Sequence, residues 1–245
     1  MSCYDALAPW YDSLTKDVPY GDFAAFYEAE FARSGGEFRL LLDLCCGTGT
    51  LTAMMAARGY EMIAADASED MLMEAQGKDC GGGIRPLFLC QRAEELDLYG
   101  TVDAAYCSLD GMNYLPPSSL PSVFRRLRLF IRPGGLLIFD LRTPDFLREL
   151  DGGTFIDEKE KVLCLWRADL SDEEEALVYS MDIFSRRGRL WERESEEHTE
   201  YLHEPERVKE LLEASGFEKV ALRTDCPQGD AGRIFVVATR GEEHG

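Results

Sequence analysis

The sequence predicts an α/β fold. It has a doubly wound, mostly parallel sheet, an N-terminal helical cap and a small antiparallel β insertion. Three observations carry this. From residue 39 to residue 142, apolar runs of strand length alternate with helix-length segments. From residue 153 to residue 201 the pattern is mostly β, with no long helix. One amphipathic helix and two strands then close the chain, so the β stretch interrupts the α/β unit.

Each element has its own justification. SCYDALAPWYDSL (2–14) and GDFAAFYEAEFARS (21–34) carry apolar, aromatic-rich residues at helical spacing and predict a cap over residues 1–36. RLLLDL (39–44) is a continuous apolar run, as expected of a strand buried on both faces. TLTAMMAARGY (50–60) predicts a helix stopped near Gly59. EMIAAD (61–66) is a second strand, and SEDMLMEAQGK (68–78) a helix with Ser68 as N-cap. RPLFLC (85–90) and VDAAYCS (102–108) are the third and fourth strands. SSLPSVFRRLRLFI (118–131) is a helix, and RPGGLLIFDL (132–141) a turn followed by the fifth strand. VLCLWRADL, EALVYSMDIF and RLWERES are strand candidates of the insertion, with SDEEE as a loop and RRGR as a hairpin turn. EPERVKELLEASGF (204–217) is a helix ending at Gly216, and FEKVALRTD and GRIFVVATR are the last strands. The expected organisation is one domain, residues 1–150 and 203–245, interrupted by a β subdomain at 151–202.

Composition narrows the function. A formal net charge of −20 and a pI near 4.5 repel phosphate backbones, so nucleic acid is a poor default partner. The tight basic cluster Arg125, Arg126 and Arg128 reads as a solvated helix face. No run is long and apolar enough to cross a bilayer, and the first residues lack a basic region followed by an apolar core. The cytoplasm is the expected compartment, and a monomer or homodimer the expected state. There the eight cysteines stay reduced. None form a C-x-x-C pair, and adjacent Cys45 and Cys46 are badly placed to share one tetrahedral ion, so no metal site is expected.

The glycine loop carries the chemistry. Gly47 and Gly49 follow a strand and open a helix, which brings backbone N–H groups to a ligand. The dinucleotide pattern G-x-G-x-x-G fails at Thr52, which counts against a nicotinamide-dependent oxidoreductase. Asp43 closes the first strand and Asp66 the second, where a carboxylate can accept from two ribose hydroxyls.

Together with RPGG before strand five, these motifs resemble the class I S-adenosylmethionine (SAM)-dependent methyltransferases. The resemblance runs through DLCCGTGT, AADASEDML, QRAEEL and LRLFIRPGGLLIFDL. It implies a Rossmann-like seven-stranded sheet with an antiparallel last strand, and SAM as cofactor. The ends, YDALAPWYDSLTKDVPYGDFAAFY, SLDGMNYL and ESEEHTEYLHEPERVKELLEASGF, resemble a bacterial subgroup of mostly unknown substrate.

By this resemblance Asp43, Cys45, Gly47 and Gly49 line the methionine part of SAM, with Cys45 in a glycine position. Asp66 holds the ribose hydroxyls. Ala67 and Met71 pack beside adenine, although Met71 also suits plain core. Arg92 stands where the family often has an acidic residue; it either stacks over the ring or points to solvent. The Ala93 N–H serves a ring nitrogen. Ser108, Asp110 and Asn113 follow strand four, and Ser108 and Asp110 are expected at the cofactor. Asp110 and Asn113 face the expected position of the methyl group, with Asn113 a substrate contact and Asp110 read either as a base or as an N-cap or turn residue. Tyr11 and Tyr20 offer hydroxyls to the SAM carboxylate, and Tyr4 reads as packing. His198 is either a surface histidine or a substrate contact and base. Tyr114, Trp166, Tyr179, Trp191 and Tyr201 are available to line an acceptor site. The expected function is methyl transfer to a small-molecule acceptor; the alternative is a SAM-binding regulatory or partner protein without catalysis.

Overall fold

The structure is a computed structural model, and it describes residues 4, 6–171, 173, 175–229 and 232–242. Two helices come first, α1 (Ala8–Leu14) and α2 (Tyr20–Ser34). Then β1 (Leu40–Leu44), α3 (Thr50–Ala57), β2 (Glu61–Asp66), α4 (Glu69–Gln76), β3 (Leu87–Cys90) and β4 (Val102–Cys107) follow in alternation. The first half closes with α5 (Leu120–Phe130) and β5 (Ile131–Arg142). After α6 (Pro144–Glu149), strands β6 (Gly153–Glu158), β7 (Val162–Ser171), β8 (Ala176–Arg187) and β9 (Leu190–Tyr201) form a separate antiparallel sheet in sequence order. The chain ends with α7 (Pro205–Ala214), β10 (Phe217–Arg223) and β11 (Arg233–Arg240).

The main sheet has seven strands in the order β10-β11-β5-β4-β1-β2-β3. Its pairs are parallel from β5 to β3, and β11 runs antiparallel to both neighbours. This is the Rossmann-like arrangement with an antiparallel last strand that the methyltransferase resemblance implies. Buried strands alternate their side chains between two cores. Leu41, Tyr106 and Ile138 face α2 and α3, against Phe23, Tyr27, Leu51 and Met55. Leu42, Ala105 and Leu137 face α5 and α7, against Val123, Phe124, Leu127 and Leu212. Val123, Phe124, Leu127 and Phe130 lie on one stripe of α5 and are buried, each worth about 1.5–3 kcal/mol. On the same helix Arg125 is exposed, and Arg126 donates to the Leu96 carbonyl at 2.9 Å.

Several elements differ from the sequence reading. RPGG is part of β5 rather than a turn before it, with a register shift against β4 between Val102 and Ala104. Gly135 is required there: a Cβ would sit 2.5 Å from the Asp103 carbonyl oxygen. The short β6 and α6 are not singled out in the sequence, although β6 alternates half-buried and exposed residues. β9 is one 12-residue strand running past RLWERES through His198 to Tyr201. Its outer half is exposed and charged, as suits an edge strand, so it shows no apolar alternation.

Candidate active site

The carboxyl ends of β1, β2 and β4 meet at a cleft of about 450 Å³. Ligands bind at this edge in open α/β sheets. Asp43, Cys45, Gly47, Asp66, Ala67, Met71, Arg92, Ala93, Ser108, Tyr11 and Tyr20 all line it.

The loop after β1 is built for a close backbone approach. Cys45 has φ 56° and Gly47 φ 52°, both left-handed. A Cβ on Gly47 would meet no protein atom within 4 Å, so this backbone opens onto the cleft. Asp43 is buried and accepts from the Thr52 hydroxyl at 2.5 Å. Burial pushes its carboxyl up to about 7. Asp66 accepts from the Gly47 N–H at 2.7 Å and the Ser68 N–H at 2.9 Å, which fixes the carboxylate at the cleft wall. Burial raises its affinity for a proton as well. Ser68 also caps α4 through the Met71 N–H at 3.2 Å.

The turn after β4 is held from beneath. Leu109 and Asp110 both have left-handed backbones, φ 56° and 58°. Such residues cost about 1–2 kcal/mol each and persist only where the surroundings fix them. Their N–H groups both donate to Asp140 at 2.8 Å, and Asp140 pairs with the buried Arg233. Arg233 reaches back to Asp110 at 2.6 Å.

The cap and the β insertion close the other side. Asp12 of α1 accepts from Thr48 at 2.6 Å and Thr50 at 3.2 Å, and pairs with Lys78. On its other face α1 packs on Val162, Cys164 and Ile183 of the second sheet. Glu196 of β9 accepts the Leu7 N–H at 3.1 Å and the Ala6 N–H, and meets His198 Nε2 at 3.0 Å. Alternate residues of β9 serve two sides. Glu197, Thr199 and Tyr201 line the cofactor cleft, whereas His198 and Glu200 line a second cavity of about 500 Å³. Tyr4, Tyr11, Leu109 and Tyr114 line both.

Four sequence expectations change. Gly49 does not line the cleft; a Cβ there would lie 2.9 Å from the Ala75 Cβ, so the glycine serves helix packing. Asp110 faces the second cavity rather than the cofactor cleft, and its ion pairs with Arg233 and Arg142 oppose a role as base. Asn113 is fully buried and clamps backbone: its amide donates to the Arg142 and Tyr201 carbonyls, and its oxygen accepts from the Arg142 N–H. It lines neither cavity. Trp191 is 50% exposed near the β8–β9 hairpin tip, away from both cavities. By contrast Trp166, Tyr179 and His198 line the second cavity, and Tyr4, expected to be packing, lines both. The Arg92 side chain is 63% exposed and pairs with Glu94.

Sequence reasoning missed Thr48, Thr50, Gln91 and Glu94 in the cleft, and Glu197 and Thr199 above it. Glu94 stands two residues beyond the position where an acidic residue was sought. The β9 pair was readable only through strand alternation from His198.

The cleft fits SAM. An open glycine backbone, a fixed carboxylate at the end of β2 and a buried carboxyl below the loop match the groups of an adenosyl amino acid. The comparisons agree. Residues 41–135 match the family described as a methyltransferase domain. The chain is 28% identical to "Putative methyltransferase YqeM" of Bacillus subtilis (strain 168), over 97% of each chain. It is 26% identical to a second such protein of Geobacillus sp. (strain WCH70), over 97% of this chain and 99% of the relative. A solved SAM-dependent methyltransferase from Clostridium acetobutylicum superposes with a TM-score of 0.83 at 26% identity, covering 98% of this chain and 100% of the other. Fold, cleft and relatives support a class I SAM-dependent methyltransferase, with SAM as its cofactor. Within that class the chain resembles the Bacillus protein along nearly its whole length.

Proposed function

We propose that the chain methylates a small molecule held in the second cavity, beneath the β insertion. The observation that carries this is the junction: Tyr4, Tyr11, Leu109 and Tyr114 belong to the walls of both cavities. A donor in one and an acceptor in the other would meet there.

Bound SAM supplies an electrophilic methyl group on a sulfonium. The protein's part is to position and to exclude water. Asp66 and the Gly47 backbone hold the nucleoside and amino-acid ends, and Asp43 stabilises the loop from below. The Asp140–Arg233 pair fixes Leu109 and Asp110 at the junction. α1, tied to the loop by Asp12 and to the insertion by Glu196, covers the reacting centre. Residues 151–202 act as the acceptor-binding subdomain. The acceptor cavity is ringed by Phe155, Trp166, Tyr179 and Tyr114, which suits a compact molecule rather than a polymer.

The test is methyl transfer from labelled SAM into a low-molecular-weight extract, with Asp66→Ala as control. Label in small molecules, lost in the variant, is expected. Label only in protein or RNA would refute the small-molecule reading, and SAM binding with no acceptor in any fraction would favour a non-catalytic role.

A further inference from the structure

We propose that the acceptor is an amine, and that Glu200 is the residue that holds its ammonium and takes its proton. This deepens the small-molecule reading and rests on it.

Glu200 lies on β9, 6% exposed, and lines the acceptor cavity. Among the described residues its Oε2 is buried without a hydrogen-bond partner. A buried carboxylate oxygen left unmatched costs more than a neutral one, so a donor belongs there. The nearby resident cations are shared with other acids, and Arg142 acts on both Asp110 and Glu200. Arg233 binds Asp140 and Asp110, and Arg142 reaches Asp110 at 3.6 Å. Asp110, the other acid beside it, carries those contacts already. Burial and the Asp110 charge push the Glu200 carboxyl well up, and Arg142 and the Tyr114 and Tyr179 hydroxyls, which meet this carboxyl, offset it only in part. A ligand cation would fill the position at Oε2 and favour the ionised carboxylate.

The walls favour the same chemistry. Tyr4, Tyr114, Trp166 and Tyr179 surround the cavity, and aromatic faces attract ammonium groups. A hydroxyl could donate to Oε2 but would leave the charge unmatched. A carboxylate ligand would add to it.

In the step, the ammonium gives one proton to Glu200. The freed nitrogen lone pair forms the N–C bond to the methyl carbon while the C–S bond breaks, and its electron pair stays on sulfur. The product leaves as a methylated ammonium, and the proton on Glu200 passes to solvent with product release.

The experiment measures binding of 2-phenylethylamine and of 2-phenylethanol to the full chain saturated with S-adenosylhomocysteine. The wild type should prefer the amine by about tenfold or more. Glu200→Gln, which keeps shape and burial, should lose that preference while binding S-adenosylhomocysteine as the wild type does. Equal binding of amine and alcohol by the wild type overturns the inference without any variant. So does a preference that survives in Glu200→Gln. Methylation of an acceptor without nitrogen would overturn it while leaving the small-molecule reading intact; failure to bind S-adenosylhomocysteine would remove the cofactor reading beneath both.

Discussion

Two glycines in one loop should fail in opposite ways. Gly47 and Gly49 are both left-handed, with φ 52° and 67°. Replacing either with alanine forces a side chain into that region at about 1–2 kcal/mol. The surroundings then differ. The Gly47 Cβ would meet no protein atom within 4 Å, and the residue lines the cofactor cleft. The Gly49 Cβ would lie 2.9 Å from the Ala75 Cβ and 3.5 Å from its backbone, which cannot swing away. Overpacking adds about 1–3 kcal/mol. Gly49→Ala should therefore lose about 2–5 kcal/mol in all, and Gly47→Ala about 1–2. At about 2–4 °C per kcal/mol for a chain of this size, calorimetry resolves the difference in Tm. Titration with S-adenosylhomocysteine should show the reverse order. Gly47→Ala loses affinity by about tenfold or more, and folded Gly49→Ala loses much less. Equal loss of Tm, or unchanged affinity in Gly47→Ala, would refute the assignment of open backbone to one glycine and packing to the other.

Other outcomes follow from the same geometry. Cys45→Gly replaces a residue at φ 56° with one that accepts that angle freely, so cofactor affinity should hold and Tm should not fall; weakened binding would give the thiol a role. Asn113→Ala removes three hydrogen bonds from a buried side chain to half-buried backbone and should lower stability by about 2–4 kcal/mol in urea titrations, with a loss under 1 kcal/mol counting against the clamp. Asp43 titrates near 7 when folded, above its ordinary value of 3.8. The folded state thus binds more protons in that window, and this contribution to stability is lost as pH rises from about 4 to about 7. Asp43→Asn should remove that slope from the difference between the two pH–stability curves; identical slopes would mean Asp43 is not buried as described. Asp12→Ala frees α1 from Thr48 and Thr50, and should speed dissociation of S-adenosylhomocysteine in stopped-flow measurements while leaving Tm nearly unchanged.

The cofactor half of the molecule was legible because local rules and the global fold agree there. RLLLDL must be a buried strand, the glycines must turn, and Asp66 must end the next strand at the same edge. The acceptor half was much less so. β9 is rich in acidic residues, and what tells Glu197 from Glu200 is the pairing of β9 with β8, which sets which side each faces. Asn113 and Trp191 show the same limit. A polar residue after a strand reads as a ligand contact until its partners are seen to be backbone, and a tryptophan reads as a wall until the hairpin carries it into solvent. The bond of Asp140 to Leu109 and Asp110 spans about thirty residues, and no spacing rule marks it.

The central claim is that Asp66 and the open backbone at Gly47 hold SAM, and one calorimetric titration tests it most directly. Wild type should bind SAM and S-adenosylhomocysteine at one site, and Asp66→Ala, folded by circular dichroism, should lose affinity by about tenfold or more. No binding by the wild type, or undiminished binding by Asp66→Ala, would contradict it.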